Sequence, residues 1–344
     1  MTTRLTIGVI GVGHLGAHHA RILSSSAVWQ LAGVFDIDPR KNAETAAQYH
    51  LPVIVSVDDL IDRCAAVVIC TPTAGHAGLA QRAMAHGRHV FVEKPLCATD
   101  AEAAALVEAA DLQGVIGATG QIERFNPAVI AVDGQIDHPR FIEAHRLNQF
   151  SPRGLATDVI LELMIHDIDL VRHLVGAEPV EIRAAGVPVL SETDDIANCR
   201  LAFPDGCVAN LTASRISTTP MRKLRVFSVD QYTTIDLAQK TCESYRLFRP
   251  ADAVPREGWR AVAEWQGRVI ARQAFPPADA NALEAELLDF HAAIADRRPP
   301  RVNLREGASS LRVALAVAAA CRESARAAMS LPEPTLRSTL TSPL

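Results

Sequence analysis

The feature that most constrains this chain is the run from Leu5 to Ser24. A short apolar, β-branched stretch, Leu5–Ile10, is followed by Gly11-Val12-Gly13-His14-Leu15-Gly16 and then by the helix-forming run from Ala17 to Ser24. A strand that turns on glycines into a helix is the signature of a dinucleotide site. Gly11 permits the tight turn, Gly13 lets the backbone approach a pyrophosphate, and Gly16 lets helix and strand pack closely. The helix N-terminus, with His14 and Leu15 in its first turn, then faces the anion. A second apolar run, Leu31–Phe35, ends about twenty residues later in Asp36. A carboxylate there accepts hydrogen bonds from ribose hydroxyls and repels a 2′-phosphate, which favours NAD over NADP. Arg40, close behind, is a cation that works in the opposite direction.

Helical and strand-like runs continue to alternate: helix 40–49, strand 53–55, helix 57–64, strand 66–70, helix 74–86, strand 89–92, helix 101–113 and strand 115–118. Such alternation predicts an α/β, doubly wound, parallel sheet of the Rossmann type, with ligands at the strand carboxyl ends. Three clusters fall at those ends: Thr71-Pro72-Thr73 with His76, Glu93-Lys94-Pro95, and Gly120-Gln121 running into Glu123-Arg124-Phe125-Asn126-Pro127. Lysine after a strand is ordinarily a solvated charge. Lys94 differs in following a buried-type strand toward the ligand edge and preceding a proline that fixes its direction, in either peptide isomer. His76 reads equally as a packing histidine or as part of the cofactor edge.

The pattern changes in the second half. An extended run, 140–150, leads into a long helix, Asp158–Val175, closed by Gly176 at a C-cap position. Strands are expected at 180–190, 196–203, 207–216, 224–229 and 233–237, then further extended segments to about 272, and helices at 280–296 and 304–328. The predicted organisation is a cofactor domain over 1–121, a substrate-binding and oligomerising α/β domain with an open, mostly antiparallel sheet over 122–330, and a loose tail over 331–344. On the helix from Asp158, the residues Asp158, Glu162, His166, Asp169 and His173 recur at steps of three and four, which puts them on one face. That stripe is either simply solvated or turned into a cleft, where Glu162 at i, i+4 from His166 orients the imidazole as a proton acceptor.

Composition narrows the function. The 34 Lys and Arg against 39 Asp and Glu give a net charge of −5, which argues against a general polyanion binder. The nine apolar residues from Val313 to Cys321 fall far short of the ~20 that span hydrocarbon. Without a membrane span or a signal-peptide pattern, the protein is expected in the cytoplasm. Seven cysteines, with no CxxC pair and no histidine cluster at zinc spacing, are expected reduced and mostly buried, with no metal.

Together the glycine turn, Thr71-Pro72-Thr73 with His76, Glu93-Lys94-Pro95 and the helix with Glu162 and His166 resemble the Gfo/Idh/MocA oxidoreductase family over nearly the whole chain. The resemblance implies NAD as cofactor, held by Gly11, Gly13, His14, Leu15, Gly16, Asp36, Arg40, Thr71, Pro72, His76, Glu93, Lys94 and Gln121. It also implies a homodimer or homotetramer built on the open sheet. Longer runs, 123–128, 141–147, 163–169 and 210–215, resemble the branch of that family that acts on a UDP-sugar. This implies oxidation of the C3 hydroxyl of UDP-N-acetylglucosamine to the 3-keto sugar nucleotide, which a separate aminotransferase consumes in making lipid A. Two residues depart from the pattern: Glu162 stands where the family usually has Asp, and Gln121 where relatives often have His.

The expected chemistry is hydride loss from C3 while the hydroxyl proton goes to His166 or Lys94, with Glu162 steadying His166. Arg124, Arg146, Arg153 and Arg215 are the candidate cations for a diphosphate. Arg124 and Arg153 are preferred, with Asn126, Lys94 and His166 completing the substrate set. Two alternatives stay open: a dehydrogenase of a free polyol or hexose, and a non-catalytic protein that senses a dinucleotide.

Overall fold

The computed structural model describes residues 4–151, 157–249, 258–277 and 279–329. Its first half runs β1 (Leu5–Ile10), α1 (His14–Ser24), β2 (Trp29–Phe35), α2 (Pro39–Gln48), α3 (Val57–Arg63), β3 (Ala66–Ile69), α4 (His76–Ala85), β4 (His89–Glu93), α5 (Asp100–Gln113) and β5 (Gly117–Gly120). The five strands pair in parallel in the order β2-β1-β3-β4-β5. Strands β3 and β4 are buried on both faces, which explains their unbroken apolar composition. Helix starts follow side-chain chemistry: Asp38 caps α2, Ser56 caps α3, and Thr99 forms a reciprocal capping box with Glu102 on α5. The strand expected at 53–55 is absent. Ile54 is buried, but its carbonyl accepts from Asn42 Nδ2 at 2.7 Å instead of joining a ladder.

The second half contains α6 (Pro127–Ile130), β6 (Phe141–Leu147), a π-helical turn (Ile160–Met164) that runs into α7 (Ile165–Val175), and then β7 (Glu181–Val187), β8 (Ile196–Ala202) and β9 (Val208–Ser214). After these come β10 (Met221–Phe227), β11 (Gln231–Asp236), β12 (Thr241–Phe248), β13 (Arg260–Trp265), β14 (Arg268–Phe275), α8 (Ala282–Asp296) and α9 (Leu304–Met329). Nine strands form one sheet in the order β13-β14-β12-β11-β10-β6-β9-β8-β7. All neighbours are antiparallel except β6 and β9. Alternate residues of β6, β8, β9 and β10 turn inward against α7 and α9, where Ile142, Ala144, Leu211, Leu224 and Val226 meet Ile165, Ile168 and Val317.

β7 ends earlier than its apolar run because the buried Asp195 carboxylate collects the amides of Val189, Leu190 and Ser191 at 2.5–3.0 Å. Gly176 ends α7 at φ +72°, its N–H on the Arg172 carbonyl. The tail over 331–344 lies outside the described residues. No helix among those described is long and apolar enough to cross a membrane. All seven cysteines are free, and six are buried.

Helices α8 and α9 return to the first sheet. Phe290 and Leu287 pack with Trp29 and Phe91, and the Trp29 indole donates to the Leu287 carbonyl at 3.0 Å. Leu304, Ala308 and Leu311 enter the core on its other side. The two sheets are therefore held by shared apolar packing, and β4, β5 and the start of α7 meet along one line.

Candidate active site

The glycine turn is built as its composition requires. Gly11 takes φ +89°, and a Cβ on Gly16 would lie 1.8 Å from the Gly11 carbonyl oxygen, so neither position admits a side chain. A Cβ on Gly13 would meet nothing within 4 Å, so the turn is open on the outer side. Helix α1 has no side chain capping its first turn and no acid in it, which leaves amides for an anion. His14 and Gly13 are exposed and Leu15 is half-buried beside them. Asp36 is fixed against the turn, accepting from Val12 N at 2.8 Å and Asp38 N at 2.9 Å. The arrangement fits a dinucleotide: an open glycine cradle at a helix terminus, with a carboxylate one strand away. Arg40 is exposed on α2.

The loops after β3 and β4 are tied together. His76 is buried, with Nδ1 3.0 Å from the Pro95 carbonyl and Nε2 2.8 Å from the Thr71 carbonyl. Its ring staples the Thr71-Pro72 turn to the Lys94–Pro95 peptide, which is cis. Glu93 is buried too, with Oε1 2.7 Å from His19 Nε2 and Oε2 accepting the Lys94 N–H at 3.1 Å. Sequence reading passed over His19, whose place on the inner side of α1 is legible only from the fold. Burial, with Glu93 and Glu286 nearby, pushes the neighbouring Cys70 thiol well above its ordinary range.

These supports aim Lys94 across the boundary between the two sheets. Its Nζ donates to the Glu162 carbonyl oxygen in the π turn at 2.7 Å. Burial lowers its amine below the usual lysine value, and Glu93 and Glu162 oppose the change. One turn further on, His166 Nδ1 lies 3.2 Å from Gln121 Oε1. With the Gln121 amide in this orientation its oxygen can only accept, so Nδ1 carries the proton and Nε2 keeps its lone pair. Burial, reinforced by the charges of Lys94, Arg146 and Arg222, holds the imidazole well below the ordinary histidine range, so it is neutral. Gln121 is buried, and its Nε2 has no partner among the described residues, which leaves a donor available beside His166.

Glu162 departs from its expected role. Its carboxylate lies 3.3 Å from Arg215 Nη1 and makes no hydrogen bond with His166 among the described residues. The physical reason is the π turn, which carries an extra residue and rotates side chains before Ile165 out of the four-residue register of α7. Gln121, not Glu162, orients the imidazole. Burial raises the Glu162 carboxyl above its usual value, against the pull of Lys94 and Arg215. Nor is the stripe on this helix simply solvated: Asp169 is buried, while His173 Nε2 pairs with Asp133 at 2.9 Å.

The arginines expected on a diphosphate are mostly committed elsewhere. Arg146 is buried, donating to both Asp167 oxygens and to Glu123 at 2.8 Å. Arg215 is buried, bonded to Asp195 at 2.8 Å and to Ser191 and Thr193. Arg124 is likewise buried, 3.5 Å from Asp169, and faces the far end of α7 rather than the gap between Lys94 and His166. Asn126 uses its amide on Glu123, on the Leu237 carbonyl and in capping α6. These two corrections share one cause: Glu123-Arg124-Phe125-Asn126 is a tight turn whose polar groups are needed inside. Arg153 lies outside the described residues. The acids that hold the arginines, Asp195 above all, were missed in the sequence because each lies far along the chain from its partner.

Residues 5–121 match the family described as "Oxidoreductase family, NAD-binding Rossmann fold", and residues 128–231 match the GFO/IDH/MocA C-terminal domain. A UDP-N-acetylglucosamine 3-dehydrogenase from Acidithiobacillus ferrooxidans is 41% identical over 293 residues, covering 85% of this chain and 89% of the relative. Its crystal structure superposes with a TM-score of 0.84 at 38% identity, over 94% of this chain and 99% of that one. An inositol 2-dehydrogenase from Rhizobium meliloti is 33% identical over 206 residues, covering 56% of this chain and 61% of that relative.

Proposed function

Because the chain belongs to the Gfo/Idh/MocA oxidoreductase family and takes NAD as its cofactor, we propose that it oxidises the C3 hydroxyl of UDP-N-acetylglucosamine to the 3-keto sugar nucleotide. The observation that carries this reading is that a half-buried amine, Lys94, and a neutral imidazole, His166, are both anchored where the first sheet meets the helix from Ile160, Lys94 on the Glu162 carbonyl and His166 on Gln121.

In this reading the hydroxyl hydrogen-bonds to His166 Nε2, whose lone pair is kept available because Nδ1 donates to Gln121. As the C3–H bond breaks, the hydroxyl proton moves to Nε2 and the carbonyl forms. Bound NAD supplies the acceptor for the departing hydride. The Lys94 ammonium, partly desolvated, stabilises negative charge on the oxygen while the proton is in transit. Glu162 is a positioning residue: its carbonyl holds Lys94 and its carboxylate holds Arg215. Gly11, Gly13, Gly16 and the α1 amides would hold the cofactor diphosphate, and Asp36 the ribose. His14, Leu15, Arg40, Thr71 and Pro72 complete the rim, and the buried His76, Glu93 and Gln121 hold the loops that carry it.

We further assign residues 1–121 to cofactor binding and 122–330 to substrate binding and self-association. The reaction runs in the cytoplasm in a homodimer or homotetramer, and an aminotransferase consumes the ketone for lipid A. The test is NADH formation against a panel of UDP-sugars and free sugars, with mass spectrometry of the ketone after trapping by amination. UDP-N-acetylglucosamine should be the preferred substrate. Preference for free inositol would replace the substrate assignment, and NAD binding with no turnover of any sugar would favour a sensing protein.

A further inference from the structure

A UDP-sugar brings a second diphosphate to a protein whose glycine turn is already matched to the cofactor's. Arg146 and Arg215 are closed by buried carboxylates, and Arg124, buried 3.5 Å from Asp169, faces the far end of α7. Arg222 is different. It opens β10 directly opposite Arg146 of β6, and directly opposed residues in an antiparallel pair share a face. Arg146 faces inward, as do Leu224 and Val226, the next two residues on the Arg222 side of β10. Arg222 therefore stands on the face that carries α7, at the strand end nearest His166, yet it is exposed. Its charge bears on both His166 and Asp167.

Among the described residues the Arg222 side chain makes no hydrogen bond or ion pair. Other exposed arginines of the sheet point to the opposite face: Arg225 pairs with Glu143 at 3.4 Å, and Arg200 reaches Asn210 at 3.3 Å. An unpartnered guanidinium beside a neutral proton acceptor offers a planar pair of donors that matches phosphate oxygens. In a nucleotide sugar the phosphate on C1 is separated from C3 by two ring bonds and the glycosidic oxygen, a distance one arginine side chain can span.

We propose that Arg222 binds the substrate diphosphate and so selects nucleotide sugars over free sugars; this rests on the functional reading above and deepens it. Cys242, Trp259 and their neighbours line a depression on the sheet whose lining includes neither Lys94 nor His166, and it does not bear on this role.

The test is calorimetric binding of UDP and of uridine to the NAD-loaded protein, comparing wild type with Arg222→Met and Arg222→Lys. Loss of a charge-assisted contact should weaken UDP binding about 10- to 100-fold in Arg222→Met. Uridine affinity should not change, and Arg222→Lys should recover part of the loss. Folding is checked by NAD affinity; if Arg222→Met does not fold, Arg222→Lys carries the test with a loss of at least about threefold. UDP affinity within twofold of wild type in the folded variants overturns the proposal, whether or not their pH profiles move. Arg222-dependent UDP binding by a wild type that does not oxidise UDP-N-acetylglucosamine would uphold Arg222 and remove the substrate assignment. Oxidation of that substrate with KM unchanged in Arg222→Met would do the reverse.

Discussion

At His166, electrostatics decides the chemistry more than position does. A carboxylate beside a histidine raises its pKa; an imidazole that donates to an amide oxygen, desolvated and flanked by cations, stays neutral to lower pH. Oxidation that needs neutral His166 loses rate as pH falls through the folded value of that group. Since burial and the Lys94, Arg146 and Arg222 charges depress this value, the acid limb of kcat/KM should fall below the ordinary histidine range, about 6.5. Lys94→Met removes one of those charges. It should move the acid limb to higher pH while lowering kcat by about 10²-fold or more, read from initial rates of NADH formation. Glu162→Gln should leave the acid limb in place, because the carboxylate contacts Arg215 and not the imidazole.

At the level of elements, the first half was largely legible because each βα unit announces itself. β-branched runs flanked by Ser56, Thr99 and glycine punctuation give elements within a few residues of those observed. The Gly176 helix stop was equally plain. The π turn at Ile160–Met164 was not, since nothing in Ile-Leu-Glu-Leu-Met distinguishes a π turn from an α turn. Reading Asp158–Val175 as one regular helix therefore paired Glu162 with His166. Long-range ion pairs were illegible for a related reason: Arg146, Asp167 and Glu123 are each unremarkable charges until three elements bring them together. Removing one partner leaves a buried charge uncompensated, so Asp167→Ala should cost about 3–5 kcal/mol in denaturant unfolding. A loss near zero would mean that Arg146 finds another partner or water.

Across the whole molecule, the two sheets share their cores. Phe290 and Leu287 of α8, with Leu304 and Leu311 of α9, belong to the packing of the first sheet although they follow the second in sequence. Among these helices Glu286 is buried, and burial, with Glu93 nearby, pushes its pKa well above the ordinary value against the pull of the Gln121 backbone N–H. The unfolded chain releases this proton above about pH 4.3 while the folded chain keeps it, so the native state loses stability as pH rises through that window. Glu286→Gln keeps the shape and removes the titration. Its melting temperature should exceed that of wild type at neutral pH, and the difference should vanish below the glutamate range; a lower melting temperature at neutral pH would show that the carboxyl has a partner it needs.

That same joint between sheets brings β4 and α7 together, and with them the amine and the imidazole. The rate of NADH formation from UDP-N-acetylglucosamine by His166→Ala, with NAD affinity measured alongside, examines this pairing most directly. The expected outcome is a fall in kcat of about 10²- to 10⁴-fold with NAD bound as in wild type. A rate within a few-fold of wild type would show that the proton leaves C3 by another route.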